Sequence, residues 1–75
     1  MQVTVGIITV VQEGRFRLAS EDGRSLLLTL AAAAPHEPQD VQALQAEGVR
    51  VGVVHEDAPG RASGVAHEIR PEPAP

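Results

Sequence analysis

The chain has 75 residues, for which we expect one domain at most, and a single aromatic residue, Phe16. It has no cysteine, which excludes a disulfide-stabilised fold and a cysteine-based metal site. Six arginines and no lysine face ten carboxylates, and the net charge of -4 disfavours nucleic acid as a partner. The excess of carboxylates falls within residues 35–75, whereas the charges of residues 1–34 balance.

The apolar stretch of residues 1–11 has no basic segment before it, is followed by Arg15 and Arg17, and is much shorter than the ~20 residues that a membrane-spanning helix needs. We therefore expect a soluble cytoplasmic protein that does not bind membranes. One domain is expected over residues 1–70, followed by a disordered, proline-rich tail of residues 71–75 that does not pair in a sheet.

Valine, isoleucine and threonine dominate residues 3–11, which is typical of a long first strand. Strict alternation leaves Ile8 and Val10 on the outer face, and predicts that the inward face carries Val3, Val5, Ile7, Thr9 and Val11. Gly6 indicates a bulge or a sharp bend at which the strand changes the face that it buries.

A hairpin follows, with strands on either side of Glu21-Asp22-Gly23. A two-residue turn and a three-residue loop are both compatible with Asp22-Gly23. The three-residue loop aligns Phe16, Leu18, Leu26, Leu28 and Leu30 on one face and leaves Arg15, Arg17, Leu27 and Thr29 on the other. The two-residue turn would shift the register by one residue and bury arginines or expose leucines, so the three-residue loop is predicted.

Pro38 at a first helical position and Gly48 as a stop predict a short helix between them, with Val41 and Leu44 on its apolar side. A fourth strand is expected over residues 49–55, with Val49, Val51 and Val53 inward. Pro59-Gly60 suits a type II turn before a fifth strand over residues 63–70, in which Val65 and Ile69 point inward.

The predicted fold is therefore mainly β, a five-stranded small barrel, closed or partly open, with one short helix between strands 3 and 4. Five short strands favour closure because open edges promote aggregation. The order β-β-β-α-β-β, the long bent first strand with Gly6 and the tight second hairpin together resemble the OB-fold over about residues 2–70. An SH3-like barrel, which usually has its helical turn between the last two strands, is the alternative closure.

The OB-fold resemblance implies a ligand face on the outside of strands 2 and 3, flanked by the loops after strands 1 and 4. On this chain the candidate ligand-binding residues are Arg15, Arg17, Arg24, Leu27 and Thr29. Two arginines on one strand face can grip a phosphate or a carboxylate. Apolar side chains left on the outer faces form a candidate interface, comprising Ile8, Val10, Leu27 and Val54.

No catalytic or metal-binding residue is predicted. Each histidine precedes a glutamate, at His36, His55 and His67, but neighbouring residues of a strand point to opposite faces and the spacings match no zinc pattern. We expect His67 roughly opposite Gly52 and His55 near the mouth of the following loop. The chain also lacks a nucleophile elbow and a phosphate-binding lysine loop.

The sequence thus predicts a small, non-enzymatic binding module without a cofactor. Its expected partner is another protein or a second copy in a homodimer, because so small a core gains from association. The alternative is a weak binder of single-stranded nucleic acid or of an anionic ligand on the face of strands 2 and 3. The nucleic-acid alternative is disfavoured because the chain has too few aromatic side chains for bases to stack on.

Overall fold

A computed structural model describes residues 1–57 and 63–72 of the chain. Its elements are β1 (Gln2–Gln12), β2 (Arg15–Ser20), β3 (Ser25–Leu30), α1 (Pro38–Glu47), β4 (Arg50–Glu56) and β5 (Gly64–Pro71). The predicted order of strands with one short helix between β3 and β4 is confirmed. The predicted turn at Pro59-Gly60 lies outside the described residues.

The strands form a closed barrel in the order β1-β2-β3-β5-β4, and β4 pairs with β1 to complete it. All pairings are antiparallel except the parallel pairing of β3 with β5. The interior is filled by buried apolar side chains: Ile8, Phe16, Leu18, Leu28, Val41, Val51, Val53, Ala66 and Ile69. Within the described part of the chain, no helix is long and apolar enough to span a membrane.

The hairpin of β2 and β3 has the predicted register. Phe16 pairs with Leu28 and Leu18 with Leu26, and the Ser20 N–H donates to the Arg24 carbonyl across a three-residue loop at 2.8 Å. Gly23 adopts a φ of 93°, the left-handed conformation that such a loop requires of its last residue. This register places Phe16 and Leu18 inside the barrel and the side chain between them, that of Arg17, outside.

The inward face predicted for β1 is wrong over its first half. Ile8 is buried, whereas Val3 and Ile7 are 59% and 37% exposed. The register against β2 shifts between Ile8 and Val10, so Thr9 is the extra residue of a bulge. The strand therefore does change the face that it buries, but at Thr9 and not at Gly6.

Gly6 has a different role, which is to permit a close approach of two backbones. It is buried and pairs with Ser20 on one side and Val51 on the other. A Cβ atom at this position would lie 2.1 Å from the carbonyl oxygen of Ala19. A side chain therefore cannot be added without moving β2.

The helix α1 has the predicted bounds and packs against the core of the barrel. Val41 is its buried residue, and Gly48 ends the helix with a φ of 64°. The Glu37 N–H donates to the Asp40 side chain at 2.8 Å at the other end. The Gln45 side chain donates to the carbonyl of Thr9 at 2.9 Å, so the helix satisfies a backbone group of the β1 bulge.

The pairing of β4 with β5 differs from the predicted one. A second bulge falls at His67, because Val54 pairs with Glu68 and His55 with Ala66. Gly52 pairs with Arg70, so His67 is not opposite Gly52. The bulge also moves Ala66 into the core and leaves Val65 only half-buried.

Sheet pairing continues past residue 70, contrary to prediction. Pro71 pairs with Val51, and the Glu72 N–H donates to the Arg50 carbonyl at 2.8 Å. Proline is tolerated there because it lies at the very end of the strand. Residues 73–75 lie outside the described part of the chain.

Candidate functional site

The outer surface of β1, β2 and β3 carries two rows of side chains that run across the strands. The register places Val10, Arg17 and Leu27 in one row. Gln12, Arg15 and Thr29 form the next row. We call these six residues the arginine face. An arginine thus occupies the middle of each row, between apolar neighbours in the first and polar neighbours in the second.

A cleft of about 220 Å³ opens on the arginine face, lined by Val10, Gln12, Arg15, Phe16, Arg17 and Leu27. Val10 is 52% exposed. Leu27 is half-buried. Of the predicted ligand-binding residues, Arg15, Arg17 and Leu27 are therefore brought together around one concave surface. Thr29 pairs with Arg15 at its edge, where the Thr29 hydroxyl lies 3.1 Å from that of Ser63.

The two arginines of this face are the unpaired ones among the described arginines. Arg15 and Arg17 are exposed and form no ion pair with residues 1–57 or 63–72. Arg17 donates one hydrogen bond, at 3.3 Å, to the Ser25 hydroxyl. An anionic group that approached the cleft would thus meet two guanidinium groups whose charges are not already compensated nearby.

Arg24, the remaining predicted ligand-binding residue, lies elsewhere. It is in the β2–β3 loop, where its side chain pairs with Asp22 at 2.9 Å. Hydrogen bonds from the Ser20 hydroxyl, then from the Arg24 backbone and side chain, lower the pKa of Asp22 below its usual range. Arg24 borders a separate, polar cleft together with Glu21, and therefore does not join the arginine face.

Arg50 and Glu21 form a second ion pair, which connects β4 to the β2–β3 loop. The hydrogen bond from Arg50 lowers the pKa of Glu21, and Glu21 in turn raises the pKa of Arg50. Arg70 lies 3.7 Å from Glu68 on β5. Arg50 and Arg70 therefore each have a carboxylate partner on the surface of the same chain.

The predicted apolar interface does not form one patch. Ile8 is 2% exposed, because the β1 bulge turns it into the core, so its assignment to an outer interface is wrong. Val10 and Leu27 share the arginine face. Val54 is half-buried and pairs with Val3 on the opposite side of β1. Strict alternation assigned Val3 and Ile7 to the inward face. A bulge at Thr9 reverses the face that is buried before it, and assuming one would have predicted that Val3 and Ile7 are exposed.

The three histidines are separated and have distinct partners. His36 lies just before α1, and its ring nitrogen accepts the Ile69 N–H of β5 at 3.0 Å. His67 contacts the Glu56 carboxylate at 2.7 Å. In residues 1–57 and 63–72, no group of three or more histidine or acidic side chains is placed to hold a metal ion.

His55 is the next-to-last residue of β4, just before the following loop as predicted, and its side chain is buried. It is 3% exposed, and its ring nitrogen lies 2.8 Å from the hydroxyl of Thr4, which is buried as well. Burial lowers the pKa of His55, the nearby Asp57 opposes this shift, and Arg24 and the N-terminus reinforce it. The signal in the sequence was the alternation of Val51, Val53 and His55, which places all three on the inward face.

No protein family matches this chain, and comparison with curated proteins and with solved structures finds no significant similarity. The arginine face is therefore interpreted from its own geometry and charge.

Proposed function

We propose that this chain is a non-catalytic, OB-like binding module that docks onto another protein through the arginine face. The OB-like assignment is supported by the strand order, by the parallel pairing of β3 with β5, and by the helix between β3 and β4. Fold alone does not define a function, so the proposal rests on the site. A cytoplasmic location stays a prediction from the sequence.

The observation that carries the proposal is the coincidence of two features on one concave surface. Val10 and Leu27 expose apolar area beside a cleft, and Arg15 and Arg17 present uncompensated charge there. Protein interfaces are enriched in arginine, and their binding energy concentrates where such side chains meet a pocket. The arginine face thus offers a partner protein an apolar contact together with two charged hydrogen-bond donors, which would fix the orientation of that partner.

Binding of an anionic ligand is the second candidate function, and the two unpaired arginines favour it. Single-stranded nucleic acid is the weaker form of this candidate, because Phe16 is 1% exposed and no other aromatic residue exists on which bases could stack. A second copy of the chain as the protein partner, as expected from the sequence, is one outcome of the test below.

A photo-crosslinking amino acid tests the docking proposal in cells that express the full chain. Gln12, which is exposed and lines the cleft, is replaced in one variant. Gln42, exposed on α1, is replaced in a matched control. We expect a discrete protein adduct from position 12, lost when Arg15 and Arg17 are both changed to alanine, and no such adduct from position 42.

Equal adducts from both positions, or none from position 12, would contradict docking through the arginine face. An adduct of twice the chain mass would identify self-association as the form of the contact. Circular dichroism on each purified variant verifies that the barrel is intact.

A further inference from the structure

Resting on the proposed function, we infer that the arginine face binds an extended acidic segment of its partner, with two carboxylates at alternate positions and an apolar residue two positions further on. The inference begins with the spacing of Arg15 and Arg17. Both point outward from β2, and two residues along a strand separate them by ~7 Å. The side chains at alternate positions of an extended peptide have this same spacing, so two carboxylates can meet both guanidinium groups together.

The next outward position along β2 supplies the apolar end of the match. Ala19 follows Arg17 at the same two-residue interval and is exposed. Ile7, which is 37% exposed, pairs with Ala19 from β1. A segment of the form acidic-x-acidic-x-apolar, lying along β2, would therefore place its carboxylates over the arginines and its apolar side chain against Ile7 and Ala19. The reversed order, apolar-x-acidic-x-acidic, fits a segment that runs the other way.

Val10 and Leu27 complete the surface on either side of Arg17. They flank it in the same row, so the methylene groups of an acidic side chain would contact apolar area while its carboxylate reaches the guanidinium. Gln12 and Thr29 flank Arg15 with polar groups instead. The arginine face is thus graded from polar to apolar along β2, which favours a segment with the same grading.

Charge complementarity selects a short acidic peptide over a long polyanion. The chain has a net charge of -4, and seven of its ten carboxylates belong to residues 35–75. A nucleic-acid strand that extended beyond the cleft would be repelled by that excess. A peptide with two carboxylates needs only the local positive charge of Arg15 and Arg17. In the described part of the chain, the ion pairs of arginine are made by other arginines, so these two remain available.

Synthetic peptides test this inference against the full chain by two-dimensional NMR titration at low salt. The probe peptide has the pattern Glu-x-Glu-x-Leu in a glycine-serine background, and it is also made in reverse order. The matched control has the same composition, but its two glutamates are adjacent and therefore point to opposite sides when extended. We expect shifts at the amides of Arg15, Arg17 and Ala19, a Kd near about a millimolar for one spaced order, and binding about fivefold weaker for the control.

Arginine variants separate the site from general attraction. Arg15→Gln and Arg17→Gln should each weaken binding about threefold to fivefold. Arg70→Gln, an exposed arginine that lies 3.7 Å from Glu68 on β5, should leave it unchanged. Binding of the wild type to the spaced peptide should also weaken as salt is raised, a readout that does not depend on the folding of any variant.

Equal binding of the spaced and adjacent peptides would overturn the inference, as would shifts produced by a short oligothymidylate and not by either peptide. If no peptide binds but position 12 still gives the protein crosslink, the partner does not present an acidic segment, while docking through the arginine face still holds. Failure of both experiments would remove the proposed function as well.

Discussion

Replacing Gly6 with alanine should strongly destabilise the barrel, because the added methyl group has no room. The new Cβ would lie 2.1 Å from the Ala19 oxygen, 2.8 Å from its carbonyl carbon and 2.9 Å from the Ser20 Cα, whereas ordinary contacts start at 3.4 Å. All three atoms belong to backbone, so no side chain can rotate away. Relief requires β1 and β2 to separate by roughly 1 Å where they pair.

The expected loss follows from the two costs of that separation. Overpacking in a dense core costs about 1–3 kcal/mol. Each ladder hydrogen bond that is left unmade in a buried position costs a further ~1–3 kcal/mol. We expect the free energy of unfolding to fall by about 3 kcal/mol or more. A domain of 75 residues has roughly 4–11 kcal/mol in total, so a large part of its stability would be lost.

Far-UV circular dichroism during urea and thermal unfolding measures the effect, since the chain has no tryptophan or tyrosine to report by fluorescence. The loss corresponds to a fall in the melting temperature of roughly 12–24 °C for a domain of this size. Gly14→Ala is the matched control, because no atom lies within 4 Å of the Cβ that it would gain. It should change stability by less than about 0.5 kcal/mol. A loss below about 1 kcal/mol for Gly6→Ala would refute the close approach of the two backbones.

Three further predictions concern the core and the histidines. Because burial lowers the pKa of His55 in the folded barrel below its value in the unfolded chain, the free energy of unfolding should fall as the pH is lowered through about 6.5. His55→Gln should flatten this dependence in urea titrations, and an unchanged slope would count against a buried neutral ring. Val41→Ala should cost about 2 kcal/mol in the same unfolding assay through loss of buried methyl groups, whereas Gln42→Ala on the exposed side should cost less than about 0.5 kcal/mol. His36→Ala removes the acceptor of the Ile69 N–H, so the exchange of that amide with solvent should accelerate in hydrogen-exchange NMR, and an unaltered rate would show that the bond is not needed.

The hairpin shows why part of the fold could be predicted. Before Asp22-Gly23, apolar side chains alternate with arginines, and after it Leu26, Leu28 and Leu30 occupy alternate positions, so only one register buries these leucines without burying arginines. The arginine face followed from that register, since Arg15, Arg17 and Leu27 had to point outward together. Local pattern and tertiary pairing agree in this segment.

The first strand shows why the rest could not be predicted. Residues 3–11 are apolar or threonine at every position except Gly6, so alternation does not distinguish the two faces. The choice is made by contacts from outside the segment, namely the close backbone at Gly6 and the α1 side chain that bonds Thr9. The error at Ile8 follows from that ambiguity. The bulge at His67 escaped prediction for a similar reason, because its position depends on how β5 meets β4.

Closure of the barrel has a consequence for how the chain folds. The β2–β3 hairpin joins residues that are close in sequence, and hairpins of this kind form in about 1–10 μs. The pairing of β1 with β4, by contrast, joins Gln2 to His55, so the entropy of closing a long loop must be overcome before any of its contacts form. The hairpin that displays Arg15 and Arg17 can therefore exist before the barrel does. The slow step of folding should be the closing of the barrel, because it also requires β5 to pair with both β3 and β4, as far along the chain as Pro71.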